Sequence, residues 1–271
     1  MKHKCKKLIY FLIFLFCLGT SNAVERRSTD PLNTITDVRA MGMGRAGLAT
    51  LGGSNALFAN PAGLTKIKNI EGSIFSTKLM DEFNYFGING AMKLDSGWWA
   101  AGYGSMSIDG IPETFRYTQG SGTRTYQLSE YSAGNNFICL GYASKVPLWG
   151  DMSLGFNLKR ATEYIEAGEN STFDSSSSSG FGIDAGVMLP LVLFERDYEA
   201  GLVIQNLISP TFKEEGEDDS KYATNIRLGI STKVQFWSQD FLLAVDNDIL
   251  GIHLGAEWQG PGGFAIRSGY D

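Results

Sequence analysis

The sequence predicts an all-β fold, an antiparallel transmembrane β-barrel with an N-terminal plug inside it. Three observations predict it. Apolar and polar side chains alternate with period two in segment after segment from Ile70 to Tyr270. With 33 Gly and 12% aromatic residues against only 7 Pro, the composition suits many strands joined by tight turns. The stretch from Arg39 to Leu64 breaks the alternation.

The chain opens on an export signal. Lys2, Lys4, Lys6 and Lys7 precede the apolar run Leu8 to Leu18, and Ser21-Asn22-Ala23 ends it with small residues, so cleavage is expected after Ala23. The run is short for a membrane span. Phe14, Leu15 and Phe16 before Cys17 are too bulky for lipoprotein processing. Losing four of 23 basic residues takes the formal net charge from −6 to about −10, which argues against a nucleic-acid partner. Cys5 and Cys17 leave with the signal, so Cys139 stays alone without an internal disulfide. The expected organisation is a signal over 1–23, a plug over 24–69 and a barrel wall over 70–271.

Within the plug, Gly42, Gly44 and Gly47 fit the spacing of a dinucleotide-binding turn. No strand precedes them, and Thr65 and Lys66 stand where an acidic residue would be needed. The glycines are instead expected to let the backbone pack tightly against a wall. Ser54 or Asn55 can cap a helical piece through Ala59, and Asn60-Pro61 breaks it. Pro61 then fixes a turn that Gly63 ends, which redirects Leu64 and Ile67 toward the first strand.

In the wall, Met152, Leu154, Phe156 and Leu158 alternate with Ser153, Gly155, Asn157 and Lys159; Ile226, Leu228, Ile230 and Val234 alternate with Asn225, Arg227, Ser231 and Lys233. Strands are expected at 70–77, 83–94, 97–108, 135–146, 151–164, 179–192, 196–207, 222–236, 239–247, 250–258 and 262–270, about eleven in all. Short connections mostly alternate with long polar ones at 109–134, 166–178 and 209–221, as in a barrel with one short-turn end. A soluble sandwich or lipocalin-like barrel alternates as well, and alternation alone does not say which face is outward. Aromatics near strand ends, among them Trp98, Trp99, Trp149, Trp237 and Trp258, favour the membrane alternative. An odd strand count leaves an unpaired edge, so a missed strand or missing closing strands are expected.

Sites for chemistry are scarce. His253 shares a face with Gly251, Gly255 and Glu257 and is the one histidine after the signal, so a metal site or a Ser-His-Asp triad has little to draw on. No serine sits in a nucleophile elbow. Glu214 to Asp219 lacks the spacing of a calcium loop, and Asn170-Ser171-Thr172 marks an exposed polar loop. The expectation is a protein that is not an enzyme and uses no cofactor or metal.

The residues Arg39 to Gly47, Asn55 to Phe58 and Asn60-Pro61-Ala62-Gly63-Leu64, with the late strand Gly263 to Tyr270, resemble the FadL/PorV-type outer-membrane barrel superfamily, in particular its PorV/PorQ branch. The resemblance implies a fourteen-stranded barrel in the bacterial outer membrane with an N-terminal hatch, which takes up hydrophobic small molecules such as long-chain fatty acids. It implies alternatively a component of a protein secretion or assembly system. The implied partners are outer-membrane lipid, a fatty-acid ligand and secreted proteins. Asn60 to Leu64 is the implied hatch motif. Arg39 and Arg45 then meet carboxylates, either a ligand's or those of lumen residues such as Asp184 or Glu257, and ion pairs of the second kind are ordinary packing inside a barrel.

Overall fold

A computed structural model describes residues 27–28, 30, 37–79, 81–119, 122–147, 151–213 and 219–271. The signal, Trp149 and the acidic run 214–218 lie outside them.

One antiparallel sheet of eleven strands makes the wall, each strand beside the next in chain order. Its members are β2 (Ile70–Leu79), β3 (Phe83–Leu94), β4 (Gly97–Gln119), β5 (Gly122–Val146), β6 (Met152–Glu166), β7 (Ser176–Leu193), β8 (Arg196–Ile208), β11 (Asn225–Phe236), β12 (Gln239–Asn247), β13 (Ile252–Gln259) and β14 (Ala265–Tyr270). In the connection after β8, the short strands β9 (Thr211–Phe212) and β10 (Ser220–Tyr222) pair with each other, and β10 pairs in parallel with β1 (Arg27–Ser28). The sheet is open. Its ladder stops at β2 on one side and β14 on the other, so the eleven strands expected from residue order are present, while the closed fourteen-stranded barrel that the resemblance implied is not formed by them.

A second correction concerns 109–134, expected as a long polar loop. Its ladder instead continues from Ile111↔Tyr131 to Gln119↔Gly122, after a register shift between Ile108 and Ile111. Phe115, Tyr117, Thr118, Thr123, Thr125 and Tyr126 are β-favouring residues, and that preference outlasts the polar character of the stretch.

The alternation acquires a direction. In β6, Ser153, Gly155, Asn157 and Lys159 are buried, whereas Phe156 and Leu158 on the other face are exposed. In β13, His253, Gly255 and Glu257 are buried while Ile252 and Leu254 are exposed. The polar face points in and the apolar face points out.

What fills the inner side is the plug. It contains the helix Val38–Gly42, the helical turn Ala56–Ala59 and the 3-10 helix Pro61–Lys66. Asp37 caps the first through the Arg39 N–H at 3.0 Å. Asn55 precedes the second turn without a side-chain cap bond. Asn60 caps the third by accepting from the Ala62 N–H at 3.2 Å, with Pro61 in the first turn. Gly63 does not end this turn, which runs on to Lys66. It is small because a Cβ there would press on Leu51 O at 2.6 Å and Ala56 Cβ at 2.9 Å.

Close approach is general along this interface. A Cβ at Gly155 in β6 would run into the Pro61-Ala62 backbone, one at Gly186 in β7 into Asn60, one at Gly201 in β8 against Ala49, and one at Gly269 in β14 into Met43 and Gly44. Gly155 pairs with Gly186, Gly201 with Gly229, and Gly255 with Gly269 in the ladder, so these glycines form a belt across the wall.

Valine favours strands, yet Gly155→Val is expected to lower unfolding stability by about 2 kcal/mol or more through overpacking. Gly72→Val on β2, where a Cβ would come no nearer than 3.5 Å to Asn89 O, is expected to change it by less than about 1 kcal/mol. Urea unfolding of the two variants checks this.

Candidate functional site: the interface between plug and wall

The plug meets the wall in two lobes. Residues 39–51 face β8 and β11 to β14. Residues 53–67 face β2 to β8.

In the first lobe the N–H groups of Gly47 and Leu48 both donate to Asp246 Oδ2, at 3.0 and 2.8 Å. Gly44 and Gly47 adopt φ of 57° and 123°, a bend that brings both amides onto one carboxylate. Asp246 is fully buried on β12, and Arg227 on β11 stands 3.9 Å from the same oxygen. Arg227 also pairs with Asp248 at 3.4 Å and donates to Arg45 O at 3.3 Å.

Arg39 grips Glu257 with two bonds, Nε to Oε2 at 2.8 Å and Nη2 to Oε1 at 3.1 Å, while Arg267 and Gln259 donate to the same carboxylate. Arg45 lies 3.7 Å from Asp248 and 3.9 Å from Asp271. Both arginines therefore meet protein carboxylates. Of the two suggested lumen partners, Glu257 takes Arg39, whereas Asp184 pairs with Lys159 at 2.9 Å.

His253 bridges Asp248 at 3.0 Å and Asp271 at 2.8 Å, which is an inward-facing structural contact. Asp248 lies in the connection between β12 and β13. Burial opposes its charged form, but His253, Arg227 and the Leu250 N–H outweigh that and hold its carboxyl below the usual range.

The second lobe is apolar at its centre. Leu57, Phe58, Leu64 and Ile67 form one cluster with Phe137, Cys139 and Ala143 of β5, and Phe58 meets Phe137 edge to face at 5.4 Å. Polar bonds surround it. Asn157 Nδ2 donates to Leu57 O, Trp98 Nε1 to Ile67 O at 2.8 Å, and Asn89 Nδ2 to Asn55 Oδ1 at 2.8 Å; Thr65 and Ser153 share a hydroxyl bond of 2.7 Å. All five residues of the motif Asn60 to Leu64 are buried here. Gly42 packs on the Arg267 side chain.

Sequence reasoning missed Asp246, Lys159 and Asp30. Lys159 is buried between Asp184 and Asp30, 3.6 Å away, and Asn206 Nδ2 donates to Asp30 at 2.7 Å. The available signal was a charge in the inward register of a strand, as for Lys159 beside Asn157 and Asp246 beside Ala244.

The space lined by Asp37, Arg39, Met43 and Thr50 has a volume of about 10 Å³, room for one water molecule at most. Among the described residues, no group of three or more His, Cys, Asp or Glu side chains is placed to hold a metal ion.

A family described as F plasmid transfer operon, TraF, protein matches residues 133–248, which is less than half of the chain and runs from β5 to the end of β12. No curated protein matches the chain. This match overturns the resemblance to the FadL/PorV superfamily, and fatty-acid uptake and the secretion or assembly alternative fall with it. The residues that carried the resemblance, Arg39 to Leu64, lie outside the matched segment. They obey a packing demand, small residues and an Asn-Pro turn against a wall, that any internal plug imposes.

Asp246→Ala leaves two buried plug amides without their acceptor and removes one of the two carboxylates beside Arg227, so a loss of about 2–4 kcal/mol in unfolding stability is expected. Lys66→Met breaks the more exposed pair with Glu199 and is expected to cost no more than about 1 kcal/mol. Because the Asp248 carboxyl is depressed, its stabilisation is present above the unfolded value of about 3.9 and is lost as pH falls through the lower folded value. Asp248→Asn should therefore lower stability at pH 7 and flatten the loss below about pH 4, as read by acid titration of near-ultraviolet circular dichroism.

Proposed function

We propose that this chain is a non-enzymatic component of plasmid transfer, carried in the outer membrane as an open β-wall packed on its plug. The observation that carries the membrane part is the inverted polarity of the sheet. Lys159, Asp184, Arg227, Asp246 and Glu257 are buried on its inner face. Ile74, Ile88, Ile138, Leu140, Phe156, Leu158, Ile226 and Leu254 stand exposed on the outer one. Water would favour the opposite arrangement, whereas lipid favours this one. Strands of 12 to 15 residues such as β11 and β6 are long enough to cross a bilayer when tilted.

The transfer role rests on the similarity of residues 133–248 to the TraF family. The close contact between plug backbone and wall glycines supports a structural part. The export signal over 1–23 supports delivery across the inner membrane, and lipid is the partner of the outer face.

Two measurements check this. The protein should fractionate with the outer membrane and need detergent for extraction; recovery in the soluble fraction would remove the membrane part. Deleting the gene from a plasmid-bearing donor should lower transfer frequency to background, with recovery on complementation by the full chain, and an unchanged frequency would remove the transfer part.

A further inference from the structure

Two neighbouring hairpins at the short-turn end of the wall break the chemistry of their own turns. The connection from β7 to β8 is Phe194-Glu195, and that from β11 to β12 is Trp237-Ser238, each closed by the pair just outside it, Leu193↔Arg196 and Phe236↔Gln239. All four turn residues have positive φ: 51° and 61° in the first, 48° and 59° in the second. A two-residue turn of this kind favours Asn-Gly, and a bulky aromatic is the least suited occupant. Both turns nevertheless start with one.

These aromatics make no use of their size in the fold. Phe194 is 92% exposed and Trp237 86%. Because β8 and β11 are adjacent, the two tips lie side by side. Phe236, on the outer face of β11, meets Trp237 with tilted rings 4.5 Å apart between centroids, which adds apolar surface at this tip.

The outer face of β11 identifies the occupant. Ile226, Leu228, Ile230, Val234 and Phe236 share that face, and their span of about eleven residues is the length of a tilted membrane crossing. Trp237 follows at its end, where the acyl region gives way to headgroups and where Trp is favoured. We infer that Phe194 and Trp237 anchor this end of the protein in the headgroup boundary of the bilayer, and that the strained turns are retained to present them. The inference rests on the membrane reading above.

The full chain, reconstituted in phosphatidylcholine vesicles containing lipid brominated near the headgroup and, in a second set, lipid brominated near the chain end, tests it by tryptophan fluorescence. The emission of Trp237 is the difference between wild type and Trp237→Asn/Ser238→Gly, and Phe156→Trp reports the middle of the outer face. Loss of most of the Trp237 emission in the headgroup-brominated vesicles, with little quenching by aqueous iodide, is the expected result. The Asn-Gly variant should melt at the same or a higher temperature than wild type in detergent. If Phe156→Trp is quenched by bromolipid while Trp237 answers only to iodide, the anchor is overturned and the membrane reading stands. If neither meets bromolipid, both fall. A lower melting temperature for the Asn-Gly variant would show that the aromatics serve the turns themselves, which also overturns the anchor.

Discussion

The structure depends on how closely the plug backbone approaches the wall. An inward-facing side chain at Gly155, Gly186, Gly201 or Gly269 would occupy space that belongs to the plug main chain. With those positions empty of side chains, peptide groups of the plug reach wall carboxylates and amides directly, as Gly47 and Leu48 reach Asp246 and Leu57 reaches Asn157. Burying polar groups without partners costs a few kcal/mol each, so the polar inner face requires the plug as much as the plug requires the glycines. The plug acts as the core that an inverted sheet otherwise lacks.

Charge follows the same logic. The buried ions occur in compensated groups: Lys159 with Asp30 and Asp184, Arg227 with Asp246 and Asp248, Glu257 with Arg39 and Arg267. Such groups add little net stability over an apolar core, but removing one partner is expensive, and they fix which plug residue faces which strand. Asp30 and Arg39 tie segments ahead of the sheet to β6 and β13, on opposite halves of the wall.

Much of the fold was legible because period two is a strong signal when repeated: the eleven main strands could be read from residue order. Alternation by itself did not give direction, since Leu154 and Ser153 alternate identically in a sandwich and in an inverted sheet; the aromatics near strand ends pointed to it. The extension of β4 and β5 was missed because threonine, serine and glutamine between Asp109 and Gly134 look like loop, while the Phe115 and Tyr126 between them are strand formers. At the plug, the need for small residues was readable, but Asp246 was not, because one acid in a strand gives no hint of two amides from a segment about 200 positions away. The superfamily resemblance misled for a related reason: it rested on residues whose pattern reflects packing and says little about activity.

Which face meets lipid is the question on which the account turns. A cysteine scan along Ser153 to Leu158 of the full chain in native membranes answers it directly. Leu154, Phe156 and Leu158 variants should react with a lipid-soluble thiol reagent and resist a charged one, while Ser153 and Asn157 variants react with neither until the protein is unfolded. Rapid reaction of the Phe156 and Leu158 variants with the charged reagent would place the apolar face in water and contradict the account.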